Sequence, residues 1–245
     1  MKLLSLLSFA AAGLGLATTA AAAAAGAAFD GLVLPFREVV VAAPVQSTID
    51  RIAFKEGDRV KAGETLAQLY ARIEELDMLR AKSALEKREF DFKGSANLFA
   101  DKIISEDEAL KNKIELDLAR LQYEQATEVF RQRTILAPID GLIVEKFREI
   151  GESVTATQPL FRLVDISRVY VQFYVRVEDL PRVQDGANVQ VSAILGGQQK
   201  QAFTGKVDFI DPRVDAASGL LRVRVLVDNA NGAIKPGLRA EVALP

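Results

Sequence analysis

Residues 43–69 read APVQSTIDRIAFKEGDRVKAGETLAQL, and residues 137–163 read APIDGLIVEKFREIGESVTATQPLFRL. Laid over one another at a constant offset of 94, without a gap, they agree at eight of 27 positions. The identical pairs are Ala43/Ala137, Pro44/Pro138, Ile49/Ile143, Gly57/Gly151, Val60/Val154, Ala62/Ala156, Leu66/Leu160 and Leu69/Leu163. Sequences of ordinary composition would give roughly two matches. Val45/Ile139 and Asp58/Glu152 are conservative pairs. The chain therefore carries an internal repeat whose two copies stand far apart.

The matched positions have physical reasons. Pro44 and Pro138 suit strand starts, where no ladder donor is needed. Gly57 and Gly151 stand between an apolar run and a valine, in a turn that needs positive φ, which only glycine enters cheaply. Each copy reads as a few short strands with tight turns. Neither buries its apolar face alone, so the two are expected to pack as one β-sandwich.

Residues 71–132, between the copies, have the opposite character. They contain no proline and a single glycine, Gly94, and are rich in Leu, Glu, Lys, Arg and Ala. Apolar residues recur at Met78, Leu85, Phe92 and Phe99, then at Leu110, Ile114, Leu118 and Leu121. That spacing predicts two helices with a narrow apolar stripe on each. Ser105 to Glu108 (SEDE) has the pattern of a capping box, so the second helix is expected to begin at Ser105. The segment reads as an antiparallel coiled-coil hairpin with its tip at residues 101–104. At roughly 27 residues per helix the arm would be about 40 Å long.

From residue 169 the pattern is β again. Residues 169–177 (VYVQFYVRV), 205–209 and 221–227 (LRVRVLV) alternate, residues 178–183 suit a short helical turn, and residues 229–237 are turn-rich. A small β-barrel of about six strands is expected. The fold class is mostly β with an α-helical hairpin. A barrel-sandwich domain at 29–70 and 133–165 is split by the arm at 71–132, and a β-barrel follows at 166–245.

Composition excludes much chemistry. The 245 residues contain no Cys and no His. Disulfides, zinc–thiolate sites, thiol nucleophiles, Ser–His triads and imidazole acid–base work are all out of reach. Lys plus Arg number 31 against 33 Asp plus Glu, a net charge of −2 with no basic stripe, and there is no Trp. Nucleic acid is therefore not an expected partner. Acidic pairs such as Glu74/Glu75 and Asp107/Glu108 fit a solvated helical face. The glycines at 57–63 lack the Gly-Lys-Ser/Thr ending of a phosphate loop. No catalytic, cofactor or metal site is expected.

The N-terminus reads as an address. Lys2 is followed by an apolar, alanine-rich run with no charge before Asp30. A basic start, an apolar centre and A-x-A sites at residues 23–25 and 25–27 predict a signal peptide over residues 1–28. The rival is an uncleaved anchor, less favoured because the run is mostly alanine and is broken by Gly13 and Gly15. With no Cys, a lipoprotein anchor is excluded.

A sandwich split by a helical hairpin and followed by a barrel resembles the periplasmic adaptor, or membrane fusion, family of export pumps. The resemblance runs over about residues 39–244. It is carried by the split repeat, each copy resembling half of a lipoyl domain, and by GKVDFIDPRVDAASGLLRVRVLV and KPGLRAEV near the C-terminus. It implies a non-enzymatic, periplasmic homo-oligomer that bridges an inner-membrane transporter, of the resistance-nodulation-division or ABC type, and an outer-membrane channel. Family members that dock on the channel carry Arg, then Leu four later, then Ser seven after that. Leu98 and Ser105 fit this spacing, and Gly94 stands at the Arg position with Lys93 beside it. The resemblance implies docking at the tip through Leu98, Asp101, Lys102 and Ser105. Ser218-Gly219-Leu220 and Leu238 depart from the family's usual barrel residues, and the family's membrane-proximal domain is expected to be absent or vestigial.

Three rivals stand beside the adaptor. A lipoyl or biotin carrier needs contiguous halves and a modified lysine at the hairpin between them, where this chain has the arm. An exported metallopeptidase of similar topology needs His ligands. An exported scaffold that reuses the architecture without transport stays open, and a neighbouring transporter gene would argue against it.

Overall fold

The computed structural model describes residues 28–194 and 200–244. The expected signal peptide falls almost wholly on residues 1–27, outside the described residues. Ala28, its last residue, opens a strand.

The repeat is a two-fold relationship between strands. The first copy supplies β2 (Ser47–Ile52), β3 (Arg59–Val60) and β4 (Thr65–Leu69). The second supplies β5 (Thr134–Leu136), β6 (Gly141–Lys146), β7 (Ser153–Val154) and the start of β8 (Pro159–Arg176). Every pairing has its counterpart at the offset of the repeat. Ile49 pairs with Leu69 as Ile143 pairs with Leu163. Ser47 pairs with Val154 across β2 and β7, as Gly141 pairs with Val60 across β6 and β3. The halves interlock rather than fold side by side. Gly57 N–H donates to the Ile143 carbonyl at 2.9 Å, and Gly151 N–H donates to that of Ile49 at 2.8 Å. The φ values of these glycines are +90° and +86°, which a β-branched residue would hold only under strain. The identical apolar residues form the core: Ile49, Val60, Leu66, Leu69, Ile143, Val154, Leu160 and Leu163 are all buried in one cluster. Each such side chain stabilises by about 1.5–3 kcal/mol, so the repeat persists where the core demands it.

The barrel is closed by six strands. β9 (Asn188–Ile194), β10 (Lys200–Ile210), β11 (Leu220–Asp228) and β12 (Arg239–Ala243) join the second half of β8 and the first half of β1 (Ala28–Ala42) in the order β1-β12-β9-β10-β11-β8, with β8 back on β1. Val33, Val171, Phe173, Val191, Val223 and Val225 fill it, alternating with outward residues. The short helical turn expected after β8 is a 3-10 turn at Val177–Arg182.

Two expected boundaries are corrected here. Residues 29–32, assigned to the sandwich, pair with β12 in the barrel, Phe29 with Val242 and Leu32 with Arg239. The barrel needs that strand to close its sheet, since an open edge would leave backbone donors and acceptors unpaired. The expected boundary after Asp165 falls inside a strand. β8 runs through it, and Arg37 of β1 pairs with Asp165 across a bulge at residues 35–37. The two domains are joined by a continuous two-stranded ribbon. Buried Asn229 fastens that junction: its side-chain NH2 donates to the carbonyls of Ile166 and Ile234 at 2.9 and 2.8 Å, and its Oδ1 accepts from Ile234 N–H at 2.9 Å.

Candidate functional site

The arm and its tip hold the residues at which partner contact is expected. Helix α1 runs over Arg72–Ala100 and α2 over Glu106–Arg131, 29 and 26 residues long. At the base Arg133 and Glu74 form an ion pair, and midway Arg88 meets Glu115 at 2.6 Å. These two pairs fix the antiparallel register of the hairpin.

The tip is a well-formed helix stop and start. Lys102 N–H donates to the Phe99 carbonyl at 2.9 Å, and Ile103 N–H to that of Leu98 at 2.8 Å. This is the hydrogen-bond pattern of a Schellman stop, whose left-handed position is taken here by Lys102 at φ +59°. Ser105 then caps α2, its Oγ accepting from Glu108 N–H at 3.2 Å. Glu106, Asp107 and Glu108 fill the first turn of α2, where the helix dipole favours negative charge. The structure thus places Asp101, Lys102 and Ser105 together in the tip, all exposed, with Leu98 one turn below on α1 and also exposed. Ile103, exposed at the apex, is an apolar tip residue that the spacing of the docking pattern did not pick out.

The helix–helix seam differs from expectation, mostly on α2. On α1 Met78, Leu85 and Phe92 face inward as the spacing predicts, together with buried Ser95, whereas Phe99, the fourth residue of the expected stripe, is exposed. On α2 the expected stripe Leu110, Ile114, Leu118 and Leu121 faces outward, and each of the four is at least half exposed. The inward row is Ala109, Asn112, Leu116, Ala119, Tyr123 and Ala126. Three of these six are alanines, and the larger aliphatic side chains Leu110, Ile114, Leu118 and Leu121 are left on the far side of the helix.

Residues 37–165, more than half of the chain, match the family described as CzcB-like, barrel-sandwich hybrid domain, and residues 168–245 match that described as CusB-like, beta-barrel domain. The chain belongs to the membrane fusion protein family. Among curated relatives, this membrane fusion protein is 25% identical over 234 residues to the multidrug resistance protein MdtE of Escherichia coli K12, covering 85% of the chain and 61% of the relative. It is 25% identical over 205 residues to the cobalt-zinc-cadmium resistance protein CzcB of Cupriavidus metallidurans, covering 78% of the chain and 39% of the relative. The chain thus spans about two to three fifths of the length of such relatives. Among solved structures, a MacA-MexA chimera carrying the Pseudomonas aeruginosa MexA α-hairpin superposes with a TM-score of 0.78 at 21% identity, covering 89% of the chain and 80% of the chimera. That likeness extends the shared fold to the arm.

The rest of this membrane fusion protein offers little chemistry. Among the described residues no group of His, Cys, Asp and Glu is placed to hold a metal ion, and no helix is long and apolar enough to cross a membrane. A cleft of about 470 Å³ lies at the junction of the two domains, lined by both charge signs, including Arg59, Lys61, Asp140 and Asp165. The shifted carboxyls are structural. Asp211 is held below the ordinary carboxylate value by hydrogen bonds from the Arg213 side chain and backbone and by the charge of Arg222. Asp215 is lowered by the Ser218 hydroxyl and backbone N–H, each at 2.8 Å. Ser218, which stands where the family's usual residues differ, therefore has its own task of fixing the β10–β11 turn.

Proposed function

We propose that this chain is a periplasmic adaptor linking an inner-membrane transporter to an outer-membrane channel for the export of small molecules. The observation that carries the reading is the arm itself, a long two-helix projection inserted into one end of a rigid sandwich. No packing need of the sandwich explains it, because the repeat already completes that core. The relatives support the reading: their names record resistance to metal ions and to multiple drugs, both outcomes of export.

The mechanism is geometric. Copies of the chain assemble around a common axis, the sandwich and barrel domains pack laterally, and the arms reach toward the channel. The tip supplies the contact through Leu98, Asp101, Lys102 and Ser105, with Gly94 in place of the family's arginine, so docking leans on Leu98 and on backbone shape. The transporter is of the resistance-nodulation-division or ABC type. Catalysis is not part of the role.

Leu98→Asp tests the docking step. The variant should keep its circular dichroism and melting temperature, since Leu98 is exposed, while export falls and the channel no longer co-purifies. Unchanged export with a normally folded variant would remove the docking assignment. Failure of the unmodified chain to co-purify with any transporter or channel would remove the adaptor reading.

A further inference from the structure

The outer face of the barrel carries a charge pattern that its packing does not call for. Val169, Val171, Phe173 and Val175 of β8 are buried inside the barrel. The alternate residues Arg168, Tyr170, Gln172, Tyr174 and Arg176 therefore form a row on its outside. The row contains no acid and spans about 26 Å at the rise of a strand. Beside it β11 adds Arg222 and Arg224, which alternate with buried Val223 and Val225. Leu32 of β1 lies opposite Gln172 and is 46% exposed, and Tyr174 is 51% exposed.

Arginine and aromatic side chains are layered at the end of this face nearest the sandwich. The Phe36 ring carries two guanidiniums, Arg168 with its Cζ 3.8 Å from the ring centroid and Arg37 at 5.0 Å. Tyr170 stands 5.7 Å from Phe36, centroid to centroid, and carries Arg224 at 4.6 Å. Phe209 lies 5.1 Å from Arg224 and 5.7 Å from Arg222. Attraction between each cation and the face of its ring holds the guanidiniums in place.

Nearby carboxylates neutralise only part of this charge. Arg222 pairs with Asp211 at 3.0 Å and Arg224 with Asp208 at 3.6 Å. Arg37 and Arg168 make no ion pair among the described residues, although an aspartate stands directly across the ladder from each, Asp165 from Arg37 and Asp228 from Arg168. Opposite charges so placed ordinarily pair. Here Asp165 instead accepts from the Ser167 hydroxyl at 2.7 Å and its N–H at 2.9 Å, and both arginines stay on Phe36. Two like charges on one ring repel each other. A guanidinium laid on a ring keeps its N–H edge free for an anion, and it grips a phosphate with two parallel hydrogen bonds.

We propose that this face of the barrel binds the phosphate groups of an anionic lipid surface. The cations are strung along one strand and its neighbour rather than gathered round one point, which suits many headgroups side by side and not a single dissolved anion. Leu32 and Tyr174 give the face apolar points for the boundary between headgroups and acyl chains. The lipid phosphates supply the counter-charge that the chain withholds from Arg37 and Arg168. The proposal does not depend on the adaptor reading, since a lipid surface is met with or without a channel.

Co-sedimentation of the full chain with vesicles of phosphatidylglycerol and phosphatidylcholine in a one-to-three ratio, set against pure phosphatidylcholine, tests it. The chain should sediment with the anionic vesicles and lose that extra binding as salt is raised. Each arginine near an anionic surface is worth roughly fivefold in binding. Arg37→Gln/Arg168→Gln should therefore bind at least about tenfold more weakly at an unchanged melting temperature, and Arg176→Gln about fivefold more weakly. Lys111→Gln/Lys113→Gln, the same loss of charge on the arm, should bind as the unmodified chain does. An equal loss in the two double variants would overturn the face, because net charge alone would then account for binding. Equal sedimentation with both kinds of vesicle, or with neither, would overturn the proposal. A dissolved-phosphate site would show as a melting temperature raised by inorganic phosphate in the unmodified chain but not in Arg37→Gln/Arg168→Gln, without vesicle binding. An acidic protein partner would show as a co-purifying protein lost from that variant, again without vesicle binding. Either result would overturn the lipid assignment. Should the double variant melt lower, Arg37→Gln alone carries the test at an exposed position, with a loss of about fivefold.

Discussion

Gly63 and Thr157 hold the same place in the two copies of the repeat and the same backbone shape, with φ of +86° and +68°. Gly63 N–H donates to the Ala137 carbonyl at 2.8 Å, and Thr157 N–H donates to that of Ala43 at the same distance. The hydrogen bond holds both turns in place, but only one of them carries the residue that the turn suits.

A β-branched residue in the left-handed region is strained by about 1 kcal/mol or more. Thr157→Gly should therefore stabilise the chain by about 1 kcal/mol, read as a higher urea midpoint at unchanged slope. Gly63→Thr should lower the midpoint by at least as much, as should Gly57→Val and Gly151→Val. A neutral Thr157→Gly would mean that this turn relaxes at no cost, contrary to its two-fold match with Gly63.

The junction of the domains depends on one amide. Asn229 is buried and makes three hydrogen bonds to backbone groups of Ile166 and Ile234. Asn229→Leu leaves two carbonyls and one N–H without partners, at a cost of about 2–4 kcal/mol. Asn229→Asp should fare no better at neutral pH, because it sets a carboxylate against two carbonyl oxygens. Thermal melts of both variants check this; wild-type stability in Asn229→Asp would show that the two donated bonds carry no weight.

Acid should loosen the β10–β11 turn in a defined direction. Asp211 takes up its proton below the ordinary value of 3.8, because Arg213 and Arg222 hold its carboxylate. The unfolded chain protonates it first as pH falls. Its stabilisation is therefore complete well above pH 4 and is lost as pH drops through the lowered value. Asp211→Asn should melt below the unmodified chain at pH 7, and the gap should narrow below pH 4. A gap that stays constant with pH would show that the carboxylate charge is not what holds the turn.

Much of the fold was legible because the repeat is written in its core. Ile49/Ile143, Val60/Val154, Leu66/Leu160 and Leu69/Leu163 are buried on both sides, and selecting the same buried residue twice leaves a readable trace. The glycine turns were legible for a similar reason, since positive φ narrows the choice of residue. The first strand was not: nothing in Phe29-Asp30-Gly31-Leu32 separates a sandwich strand from a barrel strand, and only the barrel's need for a closing partner assigns them. The tip was half legible. Ser105 announced its cap through the acidic residue three positions on, whereas the stop at Lys102 had no signal, because glycine is the residue that marks such a position.

The seam of the arm was misread for a reason that one pair of variants exposes. Leu110, Ile114, Leu118 and Leu121 make the more hydrophobic row of α2, and periodicity alone assigns the more hydrophobic row to the partner helix. In the structure Leu116 is 7% exposed against α1, while Leu118 is 55% exposed. Leu116→Ala should therefore cost about 2–3 kcal/mol through the cavity it leaves, with a visible loss of helicity on heating. Leu118→Ala should change the stability of the isolated chain by no more than about 0.5 kcal/mol. The opposite order would restore the seam that periodicity favours. The structural order would keep Leu116, and not Leu118, on the seam with α1. The two leucines are two residues apart on one helix, so propensity and local sequence context are nearly shared. What differs is the direction each faces, and that is what the comparison measures.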